Sequence, residues 1–465
     1  MRGFWLSDLT HSTGPGQAIV ADRAIGAFAV IIAALGIVLY SGYRHPIWID
    51  EFLHFAFGAM SSTSEAWSAI VQSIGQSNFN QTGIYMLVDF WLLKLFGASA
   101  FALRLPSLLS AVWLLICAAT FLGLRRLGNM WKLALIFALL AQTSLMNFAA
   151  EARPYMPLAA ATMGALTYYA APIERRRGWL RVVGLVSIGL GVLMHPYFPA
   201  YWAAMICVGF LLALVEGRAR LAGRHLFHFC DPFAVASGLA VFYVVGSLTW
   251  LRGAPPLDFD PFQWIHRDDL VVTMVDWTHL AFLYGFGRPV GSPTNPRYIL
   301  LLFMILSVLI PLLQRRWRAS LLVLVPPVAL ALTALVISAV LSWISYRHHY
   351  WILERQWIAS VALMPVGVVW YVAELGRQLD GRWRGSSIVL AVGCSAVFGC
   401  SLYRIVPQKL DELRHDIAGW QVSESVKTEP PAQPPEGNDQ WVALANANIA
   451  DGGPVWGVFR QYYGR

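Results

Sequence analysis

Long apolar stretches, separated by short polar connections, constrain this chain more than any other feature of its sequence. A helix that crosses a bilayer needs about 20 mostly apolar residues, and eleven stretches approach that length. The composition agrees, because 57% of the residues are hydrophobic and 13% are charged, whereas an ordinary soluble domain is about 25% charged. The sequence therefore predicts an all-α polytopic membrane protein with about 11 transmembrane helices. The predicted spans are Ala24–Tyr40, Leu105–Leu124, Trp131–Ala150, Pro154–Ala171, Leu180–Met194, Tyr197–Val215, Phe233–Leu251, Tyr298–Leu313, Leu321–Trp343, Trp357–Leu375 and Ile388–Val406.

Basic residues mark every second connection between these stretches. Arginine clusters follow each even-numbered stretch, as at Arg125–Arg126, Arg175–Arg177 and Arg315–Arg318. Cytoplasmic loops carry an excess of Lys and Arg, so these connections and the N-terminus are predicted to be cytoplasmic. The odd-numbered connections and the C-terminus are then predicted to be extracytoplasmic. The N-terminal segment has no cleavable signal pattern, and the bacterial inner membrane is the expected location.

The external connections differ greatly in length. In the first of them, Phe52–Met60 and Ile84–Phe96 are apolar but too short or too polar to span, which predicts helices lying in the membrane interface. The predicted parts are a cytoplasmic N-terminus (1–23), a transmembrane domain (24–406) with long external loops at 41–104 and 252–297, and a short extracytoplasmic tail (407–465).

The net charge and the cysteines exclude two other classes of protein. The formal net charge is +8, but the basic residues fall in short clusters between apolar stretches, which argues against a nucleic-acid partner. Four of the five cysteines fall inside apolar stretches, and Cys230 lies in a basic loop. No disulfide framework and no Cys/His metal spacing is indicated.

Ionisable residues occur at the ends of several predicted helices on the external side. The first loop opens with Asp50 and Glu51, which suit a general base or a cation site, or are ordinary acids that face water. The second external turn contains Glu151 and Arg153, which suit a site or a local ion pair that closes a helical hairpin. His195, in the third external turn, is either a ligand or a polar helix cap.

The fifth external turn is the densest of these clusters, with Arg347, His349 and Arg355. Guanidinium groups bind phosphate oxygens bidentately, so these arginines suit a lipid-linked phosphate, although snorkelling to headgroups explains them equally well. Lys94 and Arg104 are weaker examples of the same pattern. Because all these residues lie on one predicted side, a lipid-anchored substrate could meet a polar acceptor there.

Several motifs resemble those of one known superfamily. Trp48–Glu51, Tyr85–Gly97, Phe101–Ser107 and Glu151–Tyr155 occur in an order and at places that resemble the GT-C glycosyltransferases of the protein O-mannosyltransferase superfamily. That group includes the bacterial aminoarabinose transferases that modify lipid A. The resemblance covers about the first 220 residues well. Asn80–Gly83 departs from it, because the family usually has a Pro-rich turn there.

The resemblance implies a GT-C fold and an inverting transferase in which a metal is optional. The donor would be a sugar on a polyprenyl phosphate, and the acceptor a lipid, a glycan or a protein on the extracytoplasmic face. Asp50 would be the general base, Glu51 the neighbouring acid, and Glu151 a second acid that orients the acceptor. A divalent cation, if one is used, has Asp50 and Glu151 as its candidate ligands. Substrate contacts would come from Tyr85, Lys94, Arg153, Tyr155, His195, Arg347, His349 and Arg355.

Two other functions compete with a transferase. The first is a transporter or flippase for a lipid-linked saccharide, although transporters often show internal repeats and ionisable residues at the bilayer midplane. The second is a non-catalytic subunit of polysaccharide assembly. Such a subunit would tolerate Asp50→Asn and Glu151→Gln, and a transferase would not.

Overall fold

The described part of the chain is helical throughout and contains no strand. Four predicted spans, Ala24–Tyr40, Phe233–Leu251, Tyr298–Leu313 and Leu321–Trp343, lie outside the described residues except at single positions. The computed structural model describes residues 51–58, 60–76, 82–97, 100–171, 176–215, 358–380 and 385–400, together with residues 36, 238–239, 339 and 402–403.

The described helices follow the predicted order of elements. They are α1 (Glu51–Gly58), α2 (Thr63–Gln76), α3 (Ile84–Phe96), α4 (Ala100–Leu124), α5 (Asn129–Leu140), α6 (Thr143–Ala149), α7 (Tyr155–Ala170), α8 (Trp179–Met194), α9 (Phe198–Val215), α10 (Ile358–Asp380) and α11 (Ser386–Cys400).

Helices α1, α2 and α3 precede the first described apolar helix of spanning length. Helix α3 has the bounds predicted for it, because it lies between Gly83 and Gly97, whose φ angles of 79° and 83° are in the left-handed region that glycine adopts readily. Its side chains Trp91, Leu95 and Phe96 are 49%, 71% and 63% exposed. An exposed apolar end of this kind suits a helix that lies against lipid.

Among the described helices, two are long and apolar enough to cross a membrane, by length and composition: Phe101–Leu124 in α4 and Ile358–Arg377 in α10. Helices α5, α8 and α11 are apolar but shorter. The span predicted at Trp131–Ala150 is divided into α5 and α6, because Gln142 is extended, with φ −83° and ψ 99°. Thr143 and Ser144, which follow it, have side chains that compete for backbone hydrogen bonds and favour helix ends over helix interiors. The total number of spans remains a prediction.

Helix α7 is the centre of the described bundle and contacts α4, α8, α9 and α10. Small residues allow the close approach to α8: a Cβ added at Gly164 would lie 1.8 Å from Ser187 Oγ, and one added at Gly184 would lie 2.6 Å from the Tyr168 ring. Close approach at small residues is typical of helix pairs in membranes. This packing fixes where the ends of α7 and α8 lie.

Two basic connections that were predicted on the cytoplasmic side meet in the structure. Helix α4 ends with Arg126 in the left-handed region, and the bonds Leu127 N–H to Leu122 O and Arg126 N–H to Gly123 O complete a Schellman motif. The guanidinium of Arg377, near the end of α10, donates to the carbonyl of the residue before Arg126. The two connections therefore lie at the same end of the bundle.

Candidate functional site

The carboxylate of Glu51, the first residue of α1, is buried at the opposite end of α4. Arg104 of α4 contacts it with two nitrogens, Nε to Oε1 at 3.1 Å and Nη2 to Oε2 at 2.8 Å. The backbone N–H of Ala152 donates to Oε1 at 2.5 Å. Both side chains of the ion pair are 1% exposed or less, and a buried charge is tolerated only when it is paired in this way. Glu51 therefore joins α1, α4 and the turn before α7.

A second set of hydrogen bonds links α3 to the same turn. Ser107 Oγ lies 2.8 Å from the hydroxyl of Tyr85 and 3.2 Å from the carbonyl oxygen of Arg153. The single proton of Ser107 goes to the carbonyl, so Tyr85 is the donor in the other bond. Burial raises the pKa of Tyr85 well above its ordinary value, and the nearby carboxylate of Asp89 adds to this rise. Tyr85 is therefore a phenol, not a phenolate, at neutral pH.

Aromatic rings continue the cluster from the second external turn to the third. The guanidinium of Arg153, which is 5% exposed, lies 5.9 Å from the centre of the Tyr155 ring. The Tyr155 ring lies 5.6 Å from that of His195, which lies 5.2 Å from that of Tyr197. These contacts place the start of α7 beside the turn between α8 and α9.

His195 is held in one tautomer. The backbone N–H of Tyr197 donates to its Nδ1 at 3.1 Å, so the neutral ring carries its proton on Nε2. Burial lowers the pKa of His195 to about 3, so the ring stays neutral. Within the described ranges, Nε2 has no hydrogen-bond partner. His195 is thus a neutral donor in a buried position beside Tyr155.

A histidine–aspartate pair lies on the other side of Tyr85. Nδ1 of His54 in α1 is 2.6 Å from Oδ2 of Asp89 in α3, and both side chains are 0% exposed. The ring of His54 also meets the ring of Tyr85 edge to face, with centroids 5.6 Å apart. The pair therefore ties α1 to α3 one helical turn after Glu51.

The structure brings together five of the predicted site residues, namely Glu51, Tyr85, Arg153, Tyr155 and His195. Glu151 is half-buried and directly precedes the residue that bonds Glu51. Lys94 is not part of the cluster: it is exposed and lies 5.5 Å from the ring centre of Phe90. It lies nine positions after Tyr85 in α3, which is about 13.5 Å along the helix axis at 1.5 Å per residue.

Four predicted site residues lie outside the described residues. Asp50 directly precedes α1, and Arg347, His349 and Arg355 precede α10. Their roles stay predictions. Whether a divalent cation binds also stays a prediction. Among the residues that the structure describes, no group of three His, Cys, Asp or Glu side chains could hold an ion.

Sequence reasoning missed His54, Asp89 and Ser107 and ranked Arg104 too low. A signal was available for the first two, since a titratable residue inside an otherwise apolar helix is costly to bury without a partner. Both His54 and Asp89 stand in such helices. The sequence did not predict that they contact each other, because they lie 35 positions apart.

Comparisons with known proteins give one kind of match. No protein-family model matches the chain, and no curated protein matches it. The crystal structure of ArnT from Cupriavidus metallidurans in the apo state is 16% identical with a TM-score of 0.45, over 95% of this chain and 73% of that one. The structure of the same protein bound to undecaprenyl phosphate is 16% identical with a TM-score of 0.44, over 93% and 71%.

Proposed function

We propose that this chain is a membrane glycosyltransferase that moves a sugar from a polyprenyl-phosphate donor to a lipid, glycan or protein acceptor on the extracytoplasmic face. The observation that carries the proposal is the contact between Glu51 and the backbone N–H of Ala152. It joins the segment that follows Asp50 to the turn that holds Glu151 and Arg153. Two acid-bearing segments, 101 residues apart in sequence, thus meet at one end of the bundle.

The acceptor side of the reaction needs a base. A sugar acceptor attacks through a hydroxyl or amine whose proton must be removed, and we assign this step to Asp50. The carboxylate of Glu51 is occupied by Arg104 and Ala152, so its part is to fix the start of α1, directly after Asp50. We assign to Glu151, which is half-buried and next to Ala152, the orientation of the acceptor or of a cation.

The donor side needs positive charge and hydrogen-bond donors. The phosphate gains negative charge as the bond from the sugar carbon to its oxygen breaks, and a fixed guanidinium stabilises that charge. Arg153 supplies one such group in the described cluster, and Arg347 and Arg355 are proposed as others. His195, neutral and with its proton on Nε2, is suited to donate to a phosphate or sugar oxygen without changing the charge of the site. The proton of Tyr85 already goes to Ser107, so we assign Tyr85 a part in holding the turn that carries Arg153.

The position of the cluster suits a substrate that stays in lipid. Its residues come from the start of α4, the start of α7 and the turn after α8, which form one end of the described bundle. Large apolar side chains near the middle of neighbouring helices face outward, such as Leu109 at 61% and Val186 at 45% exposed. A polyprenyl chain could therefore remain in the bilayer while its phosphate reaches the cluster.

The test is a transfer assay with purified protein in detergent. Radiolabelled polyprenyl-phosphate sugars of several kinds are offered as donors, with a lipid extract as acceptor. The proposal predicts that label from at least one donor enters a new covalent product. A transporter would instead move the intact donor between the leaflets of reconstituted vesicles without forming a product, and that result would overturn the proposal.

A further inference from the structure

The buried pair of His54 and Asp89 has no part in the reaction proposed above. It connects α1 to α3, and α1 begins with Glu51, the residue directly after Asp50. Asp89 Oδ1 and His54 Nε2 are buried and have no hydrogen-bond partner among the described residues. Two titratable groups in full burial, each with one unused polar atom, call for an explanation, since unsatisfied buried polar atoms are costly.

The short contact fixes where a proton must lie. Nδ1 of His54 and Oδ2 of Asp89 are 2.6 Å apart, and two acceptor atoms approach this closely only with a proton between them. That proton is present whether it is bonded to Nδ1 of His54 or to Oδ2 of Asp89. A second proton, when the pair takes one up, is then carried at an outer atom, of which Nε2 of His54 is the more basic. The ring edge changes from an acceptor to a donor when this happens.

The charges around the pair favour uptake of that second proton. Glu51 and Arg104 pair with each other, so without its second proton the His54–Asp89 pair carries one negative charge that Arg104 does not neutralise. Burial raises the pKa of Asp89 to about 7, with His54 lowering it and the charge of Glu51 raising it. The proton therefore belongs to the pair as a whole and is exchanged near neutral pH.

The other elements packed on α3 leave this balance unchanged. Helix α2 contributes Glu65, whose carboxylate bonds to the backbone and hydroxyl of Ser61 on the exposed side. Helix α8 meets α3 through its last turn, where the Leu193 carbonyl accepts from Thr82. The described groups next to the pair are Glu51, whose charge acts on Asp89, and Tyr85, whose ring meets that of His54, while Arg104 pairs with Glu51.

We propose that His54 and Asp89 form a proton-binding positioning pair that holds α1 against α3 when it carries its second proton and loosens α1 when it loses it. Loss of that proton leaves a carboxylate charge near Glu51 in a buried place, and like charges there repel. The residue before α1 is Asp50, so the effect of the pair on sugar transfer rests on the proposed function. The binding of the proton by the pair is independent of the proposed function.

The direct test is ¹⁵N NMR of the full-length protein labelled at histidine, titrated across neutral pH. Among the eleven histidines, the Nε2 resonance of His54 should change from acceptor to donor form as the pH is lowered through the range in which the pair takes up its second proton. His54→Gln should remove this resonance, which assigns it. Asp89→Asn should leave the resonance in place but abolish its titration near neutrality, because a buried imidazole without a carboxylate partner stays neutral. An unchanged titration in Asp89→Asn, or none in the wild type, would overturn the proposal.

A second readout separates positioning from a structural role alone. In the transfer assay, the wild-type rate should fall as pH rises past neutrality, and Asp89→Asn should lose that step. His54→Gln should move the step to higher pH, because His54 lowers the pKa of Asp89. Asp380→Asn is the matched control, because Asp380 is the last residue of α10 and lies away from the pair. Its transfer rate should depend on pH as that of the wild type does. If the variants unfold no more readily than the wild type and all profiles coincide, the pair does not position α1. If transfer is never observed, the NMR titration still decides whether the pair binds the proton.

Discussion

The ion pair of Glu51 and Arg104 offers the sharpest test of how the site is held together. Arg104→Met removes the guanidinium and leaves a carboxylate that is 0% exposed without its counter-charge. Removing one member of a buried pair costs about 3–5 kcal/mol, and Arg104→Met should fall in this range. Glu51→Gln should cost about 3 kcal/mol, at the lower end, because the amide oxygen still accepts from Arg104.

The double variant Glu51→Gln/Arg104→Met decides whether the unpaired charge causes the loss of stability in the single variants. It leaves no unpaired charge, so its cost should be smaller than the sum of the single costs by about 2–3 kcal/mol. The measurement is the free energy of unfolding from denaturant titration in detergent micelles, followed by tryptophan fluorescence. Lys94→Met, which removes an exposed cation, should stay within about 0.5 kcal/mol of the wild type. If each single variant lost less than about 1 kcal/mol of unfolding free energy, or if the two losses simply added in the double variant, the reasoning would be refuted.

Three further variants test separate contacts. Gly164→Ala should destabilise the protein by about 1–3 kcal/mol, because the new Cβ would lie 1.8 Å from Ser187 Oγ, while Gly189→Ala, with nothing within 4 Å, should not; thermal unfolding compares them. His195→Gln should flatten the loss of stability between neutral and mildly acidic pH. The folded pKa of His195 is lowered to about 3, so its contribution is full above the unfolded value and is lost as pH falls. Tyr85→Phe removes one buried hydrogen-bond donor, and should cost about 1 kcal/mol in denaturant titrations.

Local signals predicted the parts of the fold that depend on local chemistry. The bounds of α3 were predicted correctly, because Gly83 and Gly97 interrupt an apolar run at both of its ends. The break between α5 and α6 was missed, because the apolar pattern continues through it and only Gln142 departs from helical geometry. Counting apolar residues finds a segment but does not show whether one helix or two fill it.

The sequence predicted which segments lie together at the site, but not which of their residues contact each other. The alternation of basic connections placed Glu51, Arg153 and His195 on one side, and the structure brings their segments together. Partners 35 and 53 residues apart, such as His54 with Asp89 and Glu51 with Arg104, are set by helix packing that a single sequence does not encode locally. Those contacts decide which acids are already paired and therefore which acid is left for chemistry.

The most direct test of the account is the rate of sugar transfer by Asp50→Asn compared with Asp380→Asn. Both changes replace one carboxylate by an amide, one before α1 and one at the end of α10. A general base contributes about 10²–10⁴-fold to a rate, so Asp50→Asn should lose that much activity while its unfolding curve stays that of the wild type, and Asp380→Asn should keep its activity. Equal rates in the two folded variants would contradict the assignment of Asp50 as the base and, with it, the proposed site.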